Sequence, residues 1–290
     1  MTGAAQDAET ARDAGTAQDT GIDQGTGITR LDEVFTTARS ESRAALIAYL
    51  PTGYPTVPGS RGLLTQALDA GADLVEVGLP YSDPVLDGPV IQHAVDVALR
   101  GGVRVRDTLD LVESLASRGG RAVVMTYWNP VLRYGVDAFA RDLAAAGGLG
   151  VITPDLVPDE AGEWLDATER HAIAPIFLVA PSSTEQRIAS TAAATRGFLY
   201  VASTMGVTGA RDAVATSAPA LVERTRRHTD LPLGVGLGVR SGAQAGEVAQ
   251  YADGVIVGSA LVSAAEHGRA AVARLTTELA AGVRGNHTGR

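Results

Sequence analysis

The chain has 290 residues, a formal net charge of −9 and a pI near 5.0, and this acidic balance excludes several kinds of partner. Nucleic acids and anionic membrane surfaces are bound through clustered cationic side chains, which such a chain does not supply. No apolar run approaches the roughly 18 residues of a membrane span. We therefore expect no nucleic acid and no membrane, but a soluble, cytoplasmic protein that acts on small molecules or other proteins.

Two residue types are absent from the sequence: there is no Cys, and all 24 cationic side chains are Arg. Without Cys the chain has no disulfide framework, no thiolate nucleophile and no sulfur ligand for a metal. Without Lys it cannot form a Schiff base with a carbonyl substrate or hold pyridoxal phosphate covalently. The five histidines share no spacing typical of metal ligands. We expect no metal and no cofactor on this chain.

Residues 1–28 predict a disordered tail. They are rich in Ala, Gly, Thr, Asp and Gln, contain no aromatic residue and repeat the triplet AQD at 5–7 and 17–19. Such a segment buries too little apolar surface to offset its ordering entropy, and it lacks the apolar core of a secretory signal. We place one folded domain at residues 29–282 and a flexible C-terminus at residues 283–290.

Eight short apolar runs follow in the folded part of the chain, and each predicts a strand buried on both faces. They are ALIAYL (45–50), DLVEVGL (73–79), AVVMTYW (122–128), GVITPD (150–155), APIFLVA (174–180), GFLYVAS (197–203), LPLGVGL (231–237) and DGVIVGS (253–259). Amphipathic stretches lie between them, at 62–70, 107–117, 136–146, 159–171, 184–193, 218–228 and 242–251. The alternation predicts an α/β fold, a single-domain (β/α)₈ TIM barrel. An open doubly wound sheet is the alternative, although no G-x-G-x-x-G follows the first strand.

Active sites of such barrels lie at the C-terminal ends of the strands, which directs attention to acids in the second run and its loop. Glu76 lies inside an apolar run, where an isolated carboxylate is costly, so it is either functional or bonded to a neighbouring loop. Asp83 and Asp87 follow in a proline-rich loop and either can be a simple turn former. One of them with Glu76 makes two carboxylates in different environments, the arrangement that separates an acid from a base.

Glycines cluster after the last three predicted strands, at 206–209, at 234–238 and at Gly258-Ser259. Backbone N–H groups can approach an anion at such positions, although glycines also form ordinary turns. Their joint occurrence where barrels commonly bind phosphate predicts a phosphate site. Tyr127 and Tyr200 end the third and sixth strands and are candidates to face a substrate, or else to cap the core.

These motifs together resemble the tryptophan synthase alpha chain family over about residues 31–270. The most specific part is GADLVEVGLPYSDPVLDGPVIQ (71–92), which is similar to the family's second strand and the loop after it. The run YVASTMGVTGAR (200–211) is similar to the family's sixth loop, and VGLGV (235–239) with VGSALV (257–262) is similar to its phosphate site.

The resemblance implies a lyase that cleaves indole-3-glycerol phosphate to indole and glyceraldehyde 3-phosphate in L-tryptophan biosynthesis, without a Schiff base or a metal. It implies that the catalytic acids are Glu76 and Asp87. The remaining positions that match the family's substrate site are Tyr49 beside the indole, Tyr200, Thr208 and the phosphate-site residues Gly209, Gly238, Gly258 and Ser259. The sequence departs from the usual family pattern at Leu86, Leu237 and Thr204-Met205, which affects the expected pocket shape and loop closure rather than the acids.

The resemblance also implies a partner, a pyridoxal-phosphate-dependent beta chain that receives indole in an α₂β₂ heterotetramer. The cofactor's lysine must then belong to the partner, because this chain has none. Three other interpretations remain open at this point: a stand-alone indole-releasing lyase, a sugar-phosphate isomerase that keeps the glycine clusters without needing both acids, and a non-catalytic regulatory barrel.

Overall fold

The structure is a computed structural model that describes residues 25–202, 217–236 and 238–285, where short parallel strands alternate with helices. None of the described helices is both long and apolar enough to cross a membrane. The elements are α1 (Gly27–Ser40), β1 (Ala45–Pro51), α2 (Val57–Asp69), β2 (Leu74–Gly78), α3 (Pro89–Arg100), α4 (Val105–Ala116), β3 (Ala122–Met125), α5 (Trp128–Tyr134), α6 (Val136–Ala145), β4 (Gly150–Ile152), α7 (Gly162–His171), β5 (Ala174–Ile176), β6 (Leu178–Val179), α8 (Glu185–Ala194), β7 (Leu199–Ala202), α9 (Ser217–Arg226), β8 (Leu233–Gly236), α10 (Gly242–Ala249), β9 (Gly254–Val257), α11 (Ser259–Ala265) and α12 (Arg269–Arg284), with a 3₁₀ turn at Pro158–Glu160.

The strands form one parallel sheet in the order β5-β4-β3-β2-β1-β9-β8-β7-β6, which closes on itself. The two ends of this order, β5 and β6, are separated only by Phe177. Ile176 pairs with β4, Leu178 pairs with β7, and the Phe177 carbonyl accepts a hydrogen bond from Tyr200 N at 3.1 Å. The predicted barrel is therefore confirmed. The predicted fifth strand corresponds to β5 and β6, which pair with β4 before Phe177 and with β7 after it.

Side chains that alternate along the strands fill the barrel interior, and helix α1 closes its lower end. The interior cluster comprises Leu31, Val34, Phe35, Ala38, Ala45, Ile47, Leu74, Val123, Leu149, Ile152, Ala174, Ile176, Phe198 and Ile256. The ring of Phe35 on α1 lies 5.3 Å from the ring of Phe198 on β7. A second, larger cluster packs the outer faces of the strands against the surrounding helices.

The first and last helices each extend two residues past the ends of the predicted domain at 29–282. α1 begins at Gly27 inside the predicted tail, where the Thr26 hydroxyl accepts a hydrogen bond from Thr29 N at 3.2 Å and caps the helix. The polar composition of the first 28 residues concealed this cap. At the other end, α12 continues to Arg284, two residues beyond the predicted boundary. The helices α3 and α5 were also absent from the predicted stretches.

Two aspartates at the lower end of the barrel bind neighbouring strands together. Asp73 directly precedes β2 and accepts hydrogen bonds from Leu46 N of β1 at 2.8 Å and from both terminal nitrogens of buried Arg43 at 2.7 and 2.8 Å. Asp253 directly precedes β9 and accepts from Leu233 N of β8 at 2.9 Å and from Arg226 at 2.6 Å. Each carboxylate thus fixes the start of one strand against the next.

We expect Asp73→Ala to destabilise the barrel by about 3 kcal/mol, because it leaves the buried Arg43 guanidinium without its bidentate partner. Urea unfolding gives the free energy of unfolding of the variant and of the wild type. The matched control is Asp110→Ala, which removes an exposed carboxylate from α4. If the two variants lose the same small amount, the Arg43–Asp73 pair does not hold the lower end of the barrel.

Candidate active site

Glu76 lies in the barrel interior at the centre of β2, beside Tyr49 of β1 in the strand register. It follows Leu74 by two residues and therefore points to the same, inward face. Its side chain is 1% exposed, and its Oε2 has no hydrogen-bond partner among the described residues. Burial, and secondly the charge of Asp87, raise the pKa of Glu76 to about 8. The carboxyl is therefore protonated at neutral pH and can donate a proton.

Asp87 is the aspartate that the loop after β2 turns inward. It is 8% exposed and lies two residues before Pro89, the first residue of α3, with Gln92 Nε2 donating to its carbonyl at 2.8 Å. Burial raises the pKa of Asp87 to about 6, while a hydrogen bond from the Tyr127 hydroxyl acts in the opposite direction. Asp83 is exposed and accepts a hydrogen bond from Ser82 Oγ at 2.6 Å, as a turn former does. The structure thus pairs Glu76 with Asp87 and not with Asp83.

Two tyrosine rings lie over glycines of the neighbouring strands at the barrel mouth. A Cβ on Gly78 of β2 would lie 2.6 Å from the Tyr49 hydroxyl, and a Cβ on Gly236 of β8 would collide with the Tyr200 hydroxyl. Gly236, predicted as part of the phosphate cluster, therefore makes room for Tyr200. Burial, together with the charges of Glu76 and Asp87, holds the pKa of both phenols well above the usual range. Both hydroxyls remain protonated near the two acids.

Tyr127 lies between β3 and α5 and contacts the loop that carries Asp87. Its hydroxyl accepts a hydrogen bond from Leu86 N at 3.0 Å. Burial, followed by the Asp87 charge, raises the pKa of this phenol. Its ring centroid lies 5.5 Å from that of Tyr81, at the start of the same loop. Tyr127 therefore lies against the loop that carries Asp87, and its described polar contact is to the backbone of that loop.

The candidate phosphate positions lie on the opposite side of Tyr49 from Gly78. Gly258 precedes α11, and a Cβ placed on it would be 3.4 Å from Tyr49 Cδ1. At the start of α11, the backbone amides of Leu261 and Val262 both donate hydrogen bonds to the Gly258 carbonyl. Ser259 is buried, and Gly238 after β8 has a φ of 72°, a backbone conformation that favours glycine. Thr208, Gly209, Leu237 and the pair Thr204-Met205 lie outside the described residues.

Sequence reasoning missed two apolar residues that face the mouth of the barrel, Met125 and Leu178. Both are partly exposed, and both pack against the interior cluster together with Tyr200. Each follows an interior residue by two positions, Val123 and Ile176 respectively, so the period-2 alternation could have identified them. They give the space above Glu76 an apolar wall that suits an aromatic ring. Among the described residues, no group of His, Asp or Glu side chains could hold a metal ion.

Comparison with known proteins identifies the family. The sequence profile of the tryptophan synthase alpha chain matches residues 35–287. The chain belongs to the tryptophan synthase alpha chain family. The alpha chain of Mycobacterium tuberculosis (strain ATCC 25618 / H37Rv) is 66% identical over 256 residues, which span 88% of this chain and 95% of that relative. The alpha chain of Mycobacterium avium (strain 104) is also 66% identical, over 257 residues.

Solved structures agree with this assignment to the tryptophan synthase alpha chains. A chain in a structure of Mycobacterium tuberculosis tryptophan synthase is 65% identical, with a TM-score of 0.85 and coverage of 88% of this chain and 98% of that one. The alpha subunit from Legionella pneumophila str. Paris is 29% identical and has a TM-score of 0.81, again over 88% of this chain and 98% of that one. The chain is thus an enzyme of tryptophan biosynthesis, a lyase that cleaves indole-3-glycerol phosphate.

We expect Glu76→Gln to gain stability relative to the wild type as the pH rises. The pKa of Glu76 is about 8 in the folded chain and 4.5 as an ordinary carboxyl, so the folded state holds the extra proton between these values. The stability that this group contributes is complete below pH 4.5 and is lost as the pH rises through 8, at up to about 1.4 kcal/mol per pH unit. Urea unfolding of both proteins at pH 5, 6.5 and 8 tests this expectation. A difference that does not change with pH would contradict the raised pKa.

Proposed function

We propose that Glu76 and Asp87 carry out the cleavage of indole-3-glycerol phosphate to indole and glyceraldehyde 3-phosphate. The observation that carries the proposal is the difference in pKa between these two neighbouring acids. The pKa of Glu76 is about 8 and that of Asp87 about 6, so at pH 7 the first is mainly protonated and the second mainly ionised. Two carboxyl groups whose environments separate their pKa values are the usual basis for distinct acid and base roles.

Glu76 acts as the proton shuttle at the bond that breaks. Its proton passes to C3 of the indole ring, which becomes an indolenine. The ionised Glu76 then accepts the proton of the hydroxyl on the adjacent glycerol carbon, that carbon becomes the aldehyde, and the electron pair of the broken bond returns to the ring as indole leaves. One acid thus serves both proton transfers, and Glu76 regains its proton at the end.

Asp87 acts at the other end of the indole ring. When C3 is protonated, positive charge develops on the ring nitrogen, and a fixed carboxylate beside the N–H stabilises that charge. Asp87 suits this role because it is ionised at neutral pH and buried, which strengthens its electrostatic effect. The apolar wall of Met125 and Leu178, with the rings of Tyr49 and Tyr200, would hold the indole between the two acids.

The phosphate of the substrate would be bound by backbone amides rather than by cationic side chains. Gly238, Gly258 and Ser259 would supply amides after β8 and β9. Through the family resemblance, Gly209 is assigned to the same end of the substrate, and Thr208 is assigned to a contact with Asp87. Gly258 adjoins the Tyr49 ring, so a phosphate held there would place the indole on the Glu76 side. The substrate would then span the mouth of the barrel from β9 to the loop after β2.

We expect Glu76→Gln and Asp87→Asn each to lower turnover by at least about a hundredfold, because a positioned acid or base supplies about 10²–10⁴-fold. The affinity for glycerol 3-phosphate, which probes only the phosphate end, should change by no more than a few-fold. Steady-state release of indole measures turnover, and calorimetry measures the phosphate ligand. The matched control is Asp83→Asn, an exposed aspartate in the same loop. Near-normal turnover in either variant at Glu76 or Asp87 would refute the corresponding role.

We also propose that this chain is the alpha subunit of an α₂β₂ complex with a pyridoxal-phosphate-dependent beta chain in the cytoplasm. Three exposed apolar side chains support an interface: Val85 at 69% exposure, Leu132 at 51% and Val157 at 39%. They lie after β2, β3 and β4, three consecutive strands of the barrel, and we call them the apolar rim. Indole is apolar and escapes readily, so a partner that seals this side of the mouth and consumes indole gives the rim a function.

We expect a tryptophan synthase beta chain to bind the apolar rim and to raise the rate of indole-3-glycerol phosphate cleavage. Val85→Asp should weaken binding of the beta chain at least tenfold, because a charge would be buried against the partner. Thr277→Asp adds the same charge at an exposed position on α12, away from the rim, and should bind normally. Analytical ultracentrifugation and activity titrations measure both. Full activity with no activation by the beta chain would favour a stand-alone lyase instead.

A further inference from the structure

We propose that Gln92 is a positioning residue, whose side-chain amide holds the backbone of Asp87 against α3 and thereby sets the direction of the Asp87 carboxylate. The Gln92 Nε2 atom donates a hydrogen bond to the Asp87 carbonyl at 2.8 Å. Gln92 is the last residue of the run GPVIQ (88–92), which directly follows Asp87 and which the proposed mechanism does not use. The proposal deepens the proposed function, because it rests on the role of Asp87 in the reaction.

The backbone of Asp87 is hydrogen-bonded at both of its polar groups. Its N–H donates to the Pro84 carbonyl at 3.2 Å, and its carbonyl accepts from Gln92 Nε2. The Pro84 bond lies within the loop itself, whereas the Gln92 bond joins the loop to a helix. The direction of a Cα–Cβ bond follows from the backbone around it, so fixing both groups restricts Asp87 mainly to its side-chain torsions.

Helix α3 is a firm support for this contact. Pro89 lies in its first turn, where the fixed φ of proline suits the start of a helix. The helix packs against β1 and α11. Its buried residues recur at the spacing of one helix face, at Ile91, Ala94, Val95 and Ala98. Gln92 lies outside that face, and its backbone N–H donates to the Gly88 carbonyl at 2.9 Å. A regular helix therefore presents the side chain that holds the loop.

The same turn of α3 also adjoins the proposed phosphate end of the site. A Cβ placed on Gly258 would lie 3.7 Å from Ile91 Cδ1 and 3.4 Å from Tyr49 Cδ1. Ile91 is buried, so its side chain is confined to this contact. Two consecutive residues of one helix thus lie beside Gly258 and bond to Asp87, which the proposed function assigns to opposite ends of the substrate. The helix therefore sets the distance between the phosphate end and the acid that faces the indole ring.

Loss of the Gln92 contact should lower turnover more than it lowers binding of the phosphate end. Asp87 stabilises charge on the ring nitrogen only if its carboxylate is aimed at that nitrogen, and this interaction forms during the reaction. The phosphate end depends on backbone amides after β8 and β9, and α3 reaches Gly258 through Ile91 rather than through Gln92. A change at Gln92 should therefore appear in kcat and leave the phosphate ligand's affinity unchanged.

The test is Gln92→Glu, which exchanges the donating amide for a carboxylate of the same size. At pH 7.5 a carboxylate has no proton to donate and repels the Asp87 carbonyl, so the contact is reversed. We expect turnover of indole-3-glycerol phosphate to fall about tenfold, since a 1 Å misplacement can cost up to about a hundredfold. The affinity for glycerol 3-phosphate, measured by calorimetry, should stay within about twofold of the wild type. Gln92→Met removes the donor without adding a charge, and its turnover should also fall.

The matched control is His93→Glu, which adds the same charge at the next, exposed position of α3 and should keep turnover within about twofold of the wild type. A second comparison places Gln92→Glu in the Asp87→Asn background, where the group that Gln92 positions is already lost. Because Gln92 acts through Asp87, the tenfold loss should shrink to less than about twofold there. A merely structural role would give the same loss in both backgrounds, together with a lower melting temperature.

Equal losses in the two backgrounds, an equal loss in His93→Glu, or near-normal turnover in both Gln92→Glu and Gln92→Met would overturn the proposal. The same measurements separate it from the proposed function. If Asp87→Asn retains turnover, the proposed role of Asp87 fails and that of Gln92 fails with it. If Asp87→Asn is impaired as expected and the effect of Gln92→Glu simply adds to it, only the role of Gln92 fails.

Discussion

A carboxyl group buried inside an otherwise apolar barrel is the constraint on which the rest of the site depends. Glu76 has an oxygen without a hydrogen-bond partner among the described residues, and such burial is tolerable only because the group stays neutral. That neutrality is also what makes it a proton donor at physiological pH. The chemistry and the cost to stability therefore arise from the same arrangement, as is common for groups tuned for catalysis.

The other described residues at the barrel mouth surround Glu76 without placing a cationic side chain beside it. The second acid, Asp87, comes from a loop, and burial raises its pKa less than that of Glu76, so Asp87 is charged at a pH where Glu76 is neutral. No described cationic side chain appears among the groups that shift the pKa of either acid. A nearby guanidinium would have lowered both pKa values and removed the difference between them. Arg43 and Arg226 form their ion pairs with aspartates at the lower end of the barrel instead.

The sequence predicted the barrel, and it also marked Glu76 as an unusual residue, for different reasons. Continuously apolar runs identify buried parallel strands, and a glutamate within such a run stands out against them. Choosing Asp87 over Asp83 needed the family resemblance, because both lie in similar turns and only the three-dimensional loop decides which one points inward. The sequence did not reveal where α1 starts, because the only local signal is one capping threonine, Thr26, in a polar segment. The contacts of Tyr127 join residues 41 positions apart, and local patterns do not register such distances.

The pairing of each large ring with a glycine on the adjacent strand has a consequence for how this pocket can change. Tyr49 covers Gly78, and Tyr200 covers Gly236, so each pair shares one fixed volume across two strands. Enlarging the glycine requires a smaller partner, and shrinking the tyrosine opens a cavity that only a larger glycine replacement would fill. Substitutions at the four positions should therefore be tolerated as exchanges rather than singly. Such exchanges would reshape the binding cavity while leaving the backbone of the barrel unchanged.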